Sequence, residues 1–210
     1  MIHIDLYADI ACPWCYIGEI RLEKAIAQRP DLAIERRWNP FQLQPGLPKG
    51  QDWRTFADAK FGGWERALQS FEVVRQAAAD TGITFNLESI ASAANTLDAH
   101  RLILFARETG AEWAMARALF EAFFVKGQDL NVDDELVRVA ASVGLEADTV
   151  RDLLASDALT AEVLASQQRA GALGVRGVPF YVINGRYGIS GVQPLEVFTQ
   201  ALDQLAAEPS

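Results

Sequence analysis

The first forty residues switch between two kinds of apolar spacing. Apolar and polar side chains alternate with period two in IHIDLYA at 2–8, which predicts a β-strand with one buried face. Apolar residues then recur every three or four positions to about Gln28, which predicts a helix with Cys15 on its buried face. A run of β-forming residues at 31–41 predicts a second strand. The chain therefore opens with a β-α-β unit.

The middle of the chain has a helical pattern throughout. From about residue 50 to 170, apolar residues recur at helical spacing, and glycines such as Gly82 and Gly110 mark helix ends. One of these helices begins near Asn95 or Thr96, both of which are good N-caps. No internal repeat or linker rich in glycine and serine interrupts this block.

Strand character returns near the end of the chain. The stretch at 178–191 contains Asn184 and Gly185 between two β-forming runs, which predicts a hairpin. A final amphipathic helix is predicted to open at Pro194. The predicted order is β-α-β, a long helical block, then β-β-α.

This order predicts an α/β fold that contains an inserted all-helical domain. Residues 1–45 and 172–210 are each too short to be a stable domain, but together they supply a small sheet covered by helices. The predicted insert spans 46–171.

Charge and composition exclude several classes of partner. The 210 residues carry a net charge of −9, and the sequence pI is about 4.7, so the surface repels phosphate backbones and anionic lipid. Nucleic acid and membrane are therefore not expected as partners. No stretch approaches the ~18–20 apolar residues of a membrane span, and no basic segment or apolar leader follows Met1. These features predict a cytoplasmic location.

The chain has two cysteines, Cys12 and Cys15, both in the motif CPWC. A structural zinc site needs four ligands, and beyond carboxylates only His3 and His100 are available, neither with a paired ligand spacing. Two inert buried thiols are a second interpretation. A redox-active dithiol is favoured, because CxxC beside a β-α-β pattern is typical of thiol–disulfide chemistry.

Local geometry predicts different roles for the two sulfurs. Pro13 suits a first helical turn, which places Cys12 at a helix N-terminus, where unpaired N–H groups stabilise an anion. Cys12 is therefore expected to be the exposed nucleophile and Cys15, one turn on, the buried resolving thiol. Asp9 is expected to cap this helix or to be solvated, with proton transfer during exchange as a less favoured alternative.

A second segment could complete the site. A proline that opens a strand, as Pro179 does after Val178, is either a device of a sheet edge or a cis-proline in a tight turn. A redox CxxC needs a nearby backbone edge that holds an extended peptide, and a cis-proline loop exposes one.

The motifs together resemble a known family. CPWC after a first strand, a long helical insertion, and Val-Pro before a hairpin and last helix resemble the DsbA-type branch of the thioredoxin superfamily. DIACPWCYIG, FQLQP, NTLDAHRL and GVRGVPFYVINGRYGISGVQP are similar to its FrnE-like cytoplasmic members. The resemblance implies a thioredoxin fold with a helical insert and thiol–disulfide oxidoreductase activity. It also implies that Cys12 and Cys15 are catalytic and that Pro179 is in cis.

Two other functions stay open. Kappa-class glutathione transferases and 2-hydroxychromene-2-carboxylate isomerases resemble this chain in layout, but they have a serine at the position of Cys12 and depend on glutathione. A binding module with idle thiols is the third hypothesis. The favoured interpretation predicts no metal and no bound organic cofactor. Its substrates are protein or small-molecule thiols and disulfides, with glutathione as an alternative thiol co-substrate.

Several side chains are candidates for contact with substrate. Trp14, between the cysteines, offers an apolar platform. His100 lines the cleft or is a buried structural histidine, and Asn95 is favoured as an N-cap over a substrate ligand. The full candidate set is Pro13, Trp14, Asn95, His100, Val178 and Pro179.

Overall fold

The computed structural model describes residues 1–207, which form four strands and nine α-helices. The strands are β1 (Ile2–Ala8), β2 (Ile34–Pro40), β3 (Phe180–Ile183) and β4 (Tyr187–Ser190). The helices are α1 (Pro13–Ala27), α2 (Trp53–Phe61), α3 (Trp64–Ala77), α4 (Leu97–Arg107), α5 (Glu112–Phe124), α6 (Asp133–Ser142), α7 (Ala147–Ala155), α8 (Thr160–Ala172) and α9 (Leu195–Ala207). Within residues 1–207, no helix combines the length and apolar content that a membrane span requires.

The four strands form one mixed sheet in the order β2-β1-β3-β4. The β1 and β2 pair is parallel, as the β-α-β pattern requires, whereas β3 pairs antiparallel with both β1 and β4. Asn184 and Gly185 take positive φ in the β3–β4 turn, so the predicted hairpin is confirmed. Helices α2 to α8 lie between β2 and β3 in the chain, and the predicted fold class is confirmed.

Helix α1 packs between the sheet and the helical block. It contacts α9 beside the sheet, and α3 and α5 on the other side. Tyr16 of α1 stacks on Phe120 of α5 with ring centroids 4.9 Å apart, and Trp38 of β2 meets the same Phe120 ring edge-on. One apolar cluster therefore runs from the sheet into the helical block. This packing holds the helix that carries the cysteines from two sides.

The opposite face of the sheet has a smaller core. Tyr7 and Phe41 pack there with Ala170 of α8 and with Val175, which follows α8. Helix α8 contacts β2, so this last helix of the block returns to the sheet before the chain enters β3. Both faces of the sheet are thus covered. The burial of β1 agrees with this, because buried residues alternate with less buried ones at its start and its last three residues are all buried.

A buried ion cluster joins α1 to the helical block. Glu19 of α1 is 1% exposed and accepts two hydrogen bonds from Arg117 of α5, at 2.8 and 2.7 Å. Arg36 of β2 lies 3.6 Å from Glu19 and places its guanidinium 4.4 Å from the ring centre of Trp113. Burial raises the pKa of Glu19 from its ordinary value, and the charge of Arg117 opposes that rise.

Candidate active site

Cys12 is the N-cap residue of α1. Its backbone is extended, with φ −107° and ψ 108°, and Pro13 occupies the first helical position, where a backbone N–H would have no partner. The N–H of Cys15 donates to the carbonyl of Cys12 at 3.0 Å, which closes the first turn. Cys12 therefore lies at the N-terminal end of the helix dipole, beside the unpaired N–H groups of the first turn.

Cys12 is less exposed than the sequence predicts. Only 4% of the residue is accessible, and Cys12 lines a cavity of about 470 Å³. The cavity lies between α1, the segment after β2, and helices α2, α3 and α5. Its aromatic lining consists of Trp14, Trp53, Phe56, Phe61, Phe71, Phe123 and Phe124. Among the described residues that line it, Lys60 is the one that carries a charge. The cavity offers a mainly apolar site directly beside the sulfur.

Cys15 is fully buried one turn beyond Cys12, and neither cysteine is in a disulfide. Burial and then a hydrogen bond with the Cys12 side chain raise the pKa of the Cys15 thiol well above its ordinary value. At neutral pH Cys15 is consequently a protonated thiol without solvent access.

Alkylation of the reduced protein should separate the two thiols. With a small alkylating reagent at pH 7, we expect one equivalent to react at Cys12, because only the thiolate is nucleophilic and Cys15 is buried and protonated. Peptide mass spectrometry after a denaturing quench identifies the modified residue. Equal modification of both residues would contradict this assignment, and alkylation in denaturant provides the control for full reactivity.

The Val178–Pro179 segment lies against Cys12. The Cys12 thiol donates to the carbonyl of Val178 at an S···O distance of 3.6 Å, and Val178 also lines the cavity. The bond between Val178 and Pro179 is cis. The Pro179 carbonyl accepts a hydrogen bond from Gly191 at 2.8 Å, which ties this segment to the end of β4. A backbone edge therefore borders the sulfur, as expected for peptide docking.

Asp9 is neither solvated nor a cap of α1. Its carboxylate is 1% exposed and accepts the N–H groups of Ala11 at 3.3 Å and Leu43 at 2.7 Å. His100 Nε2 lies 3.3 Å from Asp9 Oδ1, at ion-pair distance but without hydrogen-bond alignment. Tertiary contacts explain why the prediction for Asp9 was wrong. The backbone after β2 and helix α4 both approach Asp9, and local sequence shows neither of these contacts.

The structure does not place His100 or Asn95 on the cavity wall. His100 is fully buried, and its Nδ1 accepts the indole N–H of Trp38 at 3.4 Å. The Asn95 amide donates to the Leu47 carbonyl at 2.7 Å, and its oxygen accepts the Leu97 N–H at 3.1 Å. Both side chains are used inside the fold, whereas Pro13, Trp14 and Val178 do line the cavity.

Sequence reasoning missed several residues around the dithiol. Leu43 and Lys60 belong to the cavity wall, Glu19 is buried on α1, and the Tyr181 ring is buried on β3. Only Glu19 had a local signal, since it lies four residues after Cys15 and so shares its helix face. Within the described residues, no group of three or more His, Cys, Asp or Glu side chains could hold a metal ion.

Comparisons with known proteins agree with this geometry. The profile of the DSBA-like thioredoxin domain matches residues 3–203. The crystal structure of probable DsbA oxidoreductase SCO1869 from Streptomyces coelicolor is 38% identical and superposes with a TM-score of 0.91, covering 100% of this chain and 92% of that one. The uncharacterized protein YwbO of Bacillus subtilis is 26% identical over 96% of both chains.

Two more distant structures share the fold alone. The cytosolic disulfide reductase DsbM from Pseudomonas aeruginosa, solved with GSH, is 18% identical with a TM-score of 0.68, and the match covers 98% of this chain and 100% of that one. A 2-hydroxychromene-2-carboxylate isomerase is 19% identical with a TM-score of 0.74, over 97% and 96% of the two chains. The expected likeness to 2-hydroxychromene-2-carboxylate isomerases is thereby confirmed at the level of fold.

Proposed function

This chain belongs to the family of DSBA-like thioredoxin domains, and we propose that it is a FrnE-type dithiol–disulfide oxidoreductase. The Cys12 thiolate attacks one sulfur of a substrate disulfide, and the other substrate sulfur leaves as a thiolate. Cys15, once deprotonated, attacks the sulfur of Cys12, which forms the Cys12–Cys15 disulfide and releases the second substrate thiolate. The substrate is reduced by two electrons and the enzyme dithiol is oxidised; substrate oxidation runs through the same steps in reverse.

The asymmetry between the two sulfurs carries this proposal. Cys12 opens into the cavity at the N-terminus of α1, whereas Cys15 is sealed in the core with a raised pKa. An attacking thiol must reach its substrate, while a resolving thiol needs to reach only its partner. Idle structural thiols would not need a cavity at one sulfur and a backbone edge, the Val178 carbonyl, 3.6 Å away.

The surroundings of Cys12 support thiol and disulfide substrates with apolar neighbours. The cavity wall is mainly apolar, and Lys60, which also lines it, suits a carboxylate. We propose protein or small-molecule thiols and disulfides as partners, with no resident cofactor and with glutathione as an alternative thiol co-substrate. A cytoplasmic location belongs to the same proposal, supported by the acidic surface and by the fold shared with a cytosolic disulfide reductase.

The second candidate function is a glutathione-dependent isomerase or transferase reaction. The aromatic cavity beside Cys12 favours it, since a small aromatic molecule fits such a space. That chemistry has no use for a second thiol, so it leaves the buried Cys15 without a function.

Trapping with Cys15→Ala tests the proposal. Without Cys15, the mixed disulfide at Cys12 cannot be resolved from within, so substrate thiols should accumulate as adducts that a reductant removes. We expect the purified variant to retain a disulfide-containing peptide stoichiometrically, whereas the parent releases it within the same mixing time. Non-reducing mass spectrometry measures the adduct.

The outcomes separate the two candidate functions. Accumulation of peptide adducts in Cys15→Ala, with loss of turnover, supports the oxidoreductase. Full activity of Cys15→Ala towards a small glutathione-dependent substrate, without peptide adducts, would replace the proposed function by the second candidate. A Cys12→Ala and Cys15→Ala double variant is the matched control, because it removes the attacking sulfur and should retain no peptide.

A further inference from the structure

Tyr181 carries a buried hydroxyl that the exchange steps above do not use. The residue lies in β3 opposite Leu6, is fully buried, and packs its ring edge-on against Phe198 at 4.9 Å. Its hydroxyl has no hydrogen-bond partner within residues 1–207. An unpaired hydroxyl in an apolar core destabilises the folded state, and phenylalanine would fill the same space without that cost.

The hydroxyl lies directly against α1, at Gly18. A Cβ atom added to Gly18 would overlap the Tyr181 hydroxyl and would lie 3.4 Å from Cγ of Pro179. The missing side chain at Gly18 therefore lets the phenol and the proline approach the helix. Gly18 comes three residues after Cys15, and residues at that spacing are neighbours on one helix face.

The entry to β3 and the start of α1 run beside each other. Val178 contacts Cys12, and Tyr181, three residues later, contacts the helix at Gly18, six residues after Cys12. Six helical residues rise ~9 Å, and three extended residues span ~10 Å, so the two contacts are in register. Cys15 lies midway between them, in the same apolar cluster as Tyr181.

This proximity is also visible in the electrostatics of the phenol. Burial, followed by the charge of Cys15, raises the pKa of Tyr181 well above its ordinary value. The phenol consequently stays protonated and serves as a hydrogen-bond donor, not as a base. A donor in a dry interior stabilises an adjacent anion far more than it would in water.

Resting on the proposed function, we propose that the Tyr181 hydroxyl donates a hydrogen bond to the Cys15 thiolate that forms when the Cys12–Cys15 disulfide is opened. A substrate or reductant thiolate attacks the Cys12 sulfur, and a new S–S bond forms there. The Cys12–Cys15 bond breaks, and its electron pair leaves on Cys15. In the reverse direction the same donor supports the Cys15 thiolate before it attacks Cys12.

The unpaired state of the hydroxyl in the dithiol form agrees with this role. In that form the Cys15 thiol makes its hydrogen bond with the Cys12 side chain. Once Cys12 is bound to a substrate sulfur, Cys15 is an anion that has lost this partner. The backbone of Asp9 already offers Cys15 one hydrogen bond, which lowers the pKa of Cys15. Tyr181 supplies a second donor, a hydroxyl that has no other partner within residues 1–207.

Tyr181→Phe tests the proposal, since it removes one oxygen and keeps the ring. We expect dithiothreitol to reduce the Cys12–Cys15 disulfide of the variant about tenfold more slowly than that of the parent. The melting temperature should be unchanged or higher, because an unpaired buried hydroxyl is lost. Acid quenching, alkylation and mass spectrometry follow the reduction rate.

Two comparisons isolate the effect on Cys15. Tyr16→Phe is the matched control. Tyr16, on α1, is buried like Tyr181, but its ring packs against Phe85 and Phe120. The disulfide of Tyr16→Phe should therefore be reduced at the parent rate. In a Cys15→Ala background, no Cys15 thiolate can form. Tyr181→Phe should then leave unchanged the rate at which Cys12 reacts with a small aromatic disulfide.

The results distinguish this inference from the function on which it rests. A parent whose disulfide does not cycle overturns both. A cycling parent with an equally fast Tyr181→Phe variant overturns only the role of Tyr181. An equal slowing by Tyr181→Phe with and without Cys15 also overturns it, because the hydroxyl would then act on Cys12 or on the fold as a whole.

Discussion

Replacing Cys12 by serine should reduce thiol–disulfide exchange to the uncatalysed rate. A serine hydroxyl is not ionised at neutral pH and forms no disulfide, so the first step is lost while the fold is kept. Reduction of a peptide disulfide by dithiothreitol, and oxidation of the same peptide dithiol, should both show no enzyme-dependent rate. Exchange above background in Cys12→Ser would place the nucleophile elsewhere.

Cys15→Ser is the matched control for this loss. It removes the same kind of atom from the same helix, but it leaves Cys12 at the helix N-terminus and open to the cavity. We expect Cys15→Ser to lose turnover yet to keep one rapid reaction of Cys12 with a small disulfide. A single fast phase in Cys15→Ser and none in Cys12→Ser is the pattern that assigns the two roles.

Replacing Arg117 by methionine should destabilise the protein by about 2 kcal/mol. Removing one partner of a fully buried pair costs ~3–5 kcal/mol, since the other charge stays buried. The cost here is smaller, because 36% of the Arg117 side chain is exposed and Arg36 remains 3.6 Å from Glu19. Urea unfolding at pH 7 measures the free energy of unfolding.

The pH dependence of this loss has a definite sign. The folded-state pKa of Glu19 is raised by burial, and loss of the Arg117 charge raises it further. The folded state then binds this proton more tightly than the unfolded state, so stability falls as pH rises from the ordinary carboxyl pKa through the raised one. The loss should therefore be larger at pH 7 than at pH 5.

Arg138→Met provides the surface control for Arg117→Met. Arg138 pairs with Glu135 on one helix, and 62% of its side chain is exposed. Exposed pairs of this kind contribute ~0–1 kcal/mol. We expect a small change that does not grow with pH over the same range. A loss in Arg117→Met no larger than this would show that the Glu19 cluster does not hold α1 to the helical block.

Local sequence patterns determined the elements and the dithiol. Period-two and helical spacings predicted the strands and the helical block, and Asn184 and Gly185 predicted the hairpin, because such patterns depend on neighbours within a few residues. The strand predicted at 31–41 is observed at 34–40, an ordinary difference in element ends. Cys12 and Cys15 were also found locally, because the CPWC motif that marks them lies within four consecutive residues.

Tertiary structure alone decided the surroundings of the two sulfurs. Asp9 meets Leu43 and His100, and the Val178 carbonyl meets Cys12, across sequence separations of 34 to 166 residues. No local pattern encodes such contacts, because they arise from how the helical block and β3 pack around α1. The same packing buried His100 and placed the Tyr181 hydroxyl against Gly18. It also left Cys12 in the wall of a cavity, not on the exposed surface that the sequence predicted. The sequence therefore left undecided the surroundings of those side chains that distant segments of the chain contact in the fold.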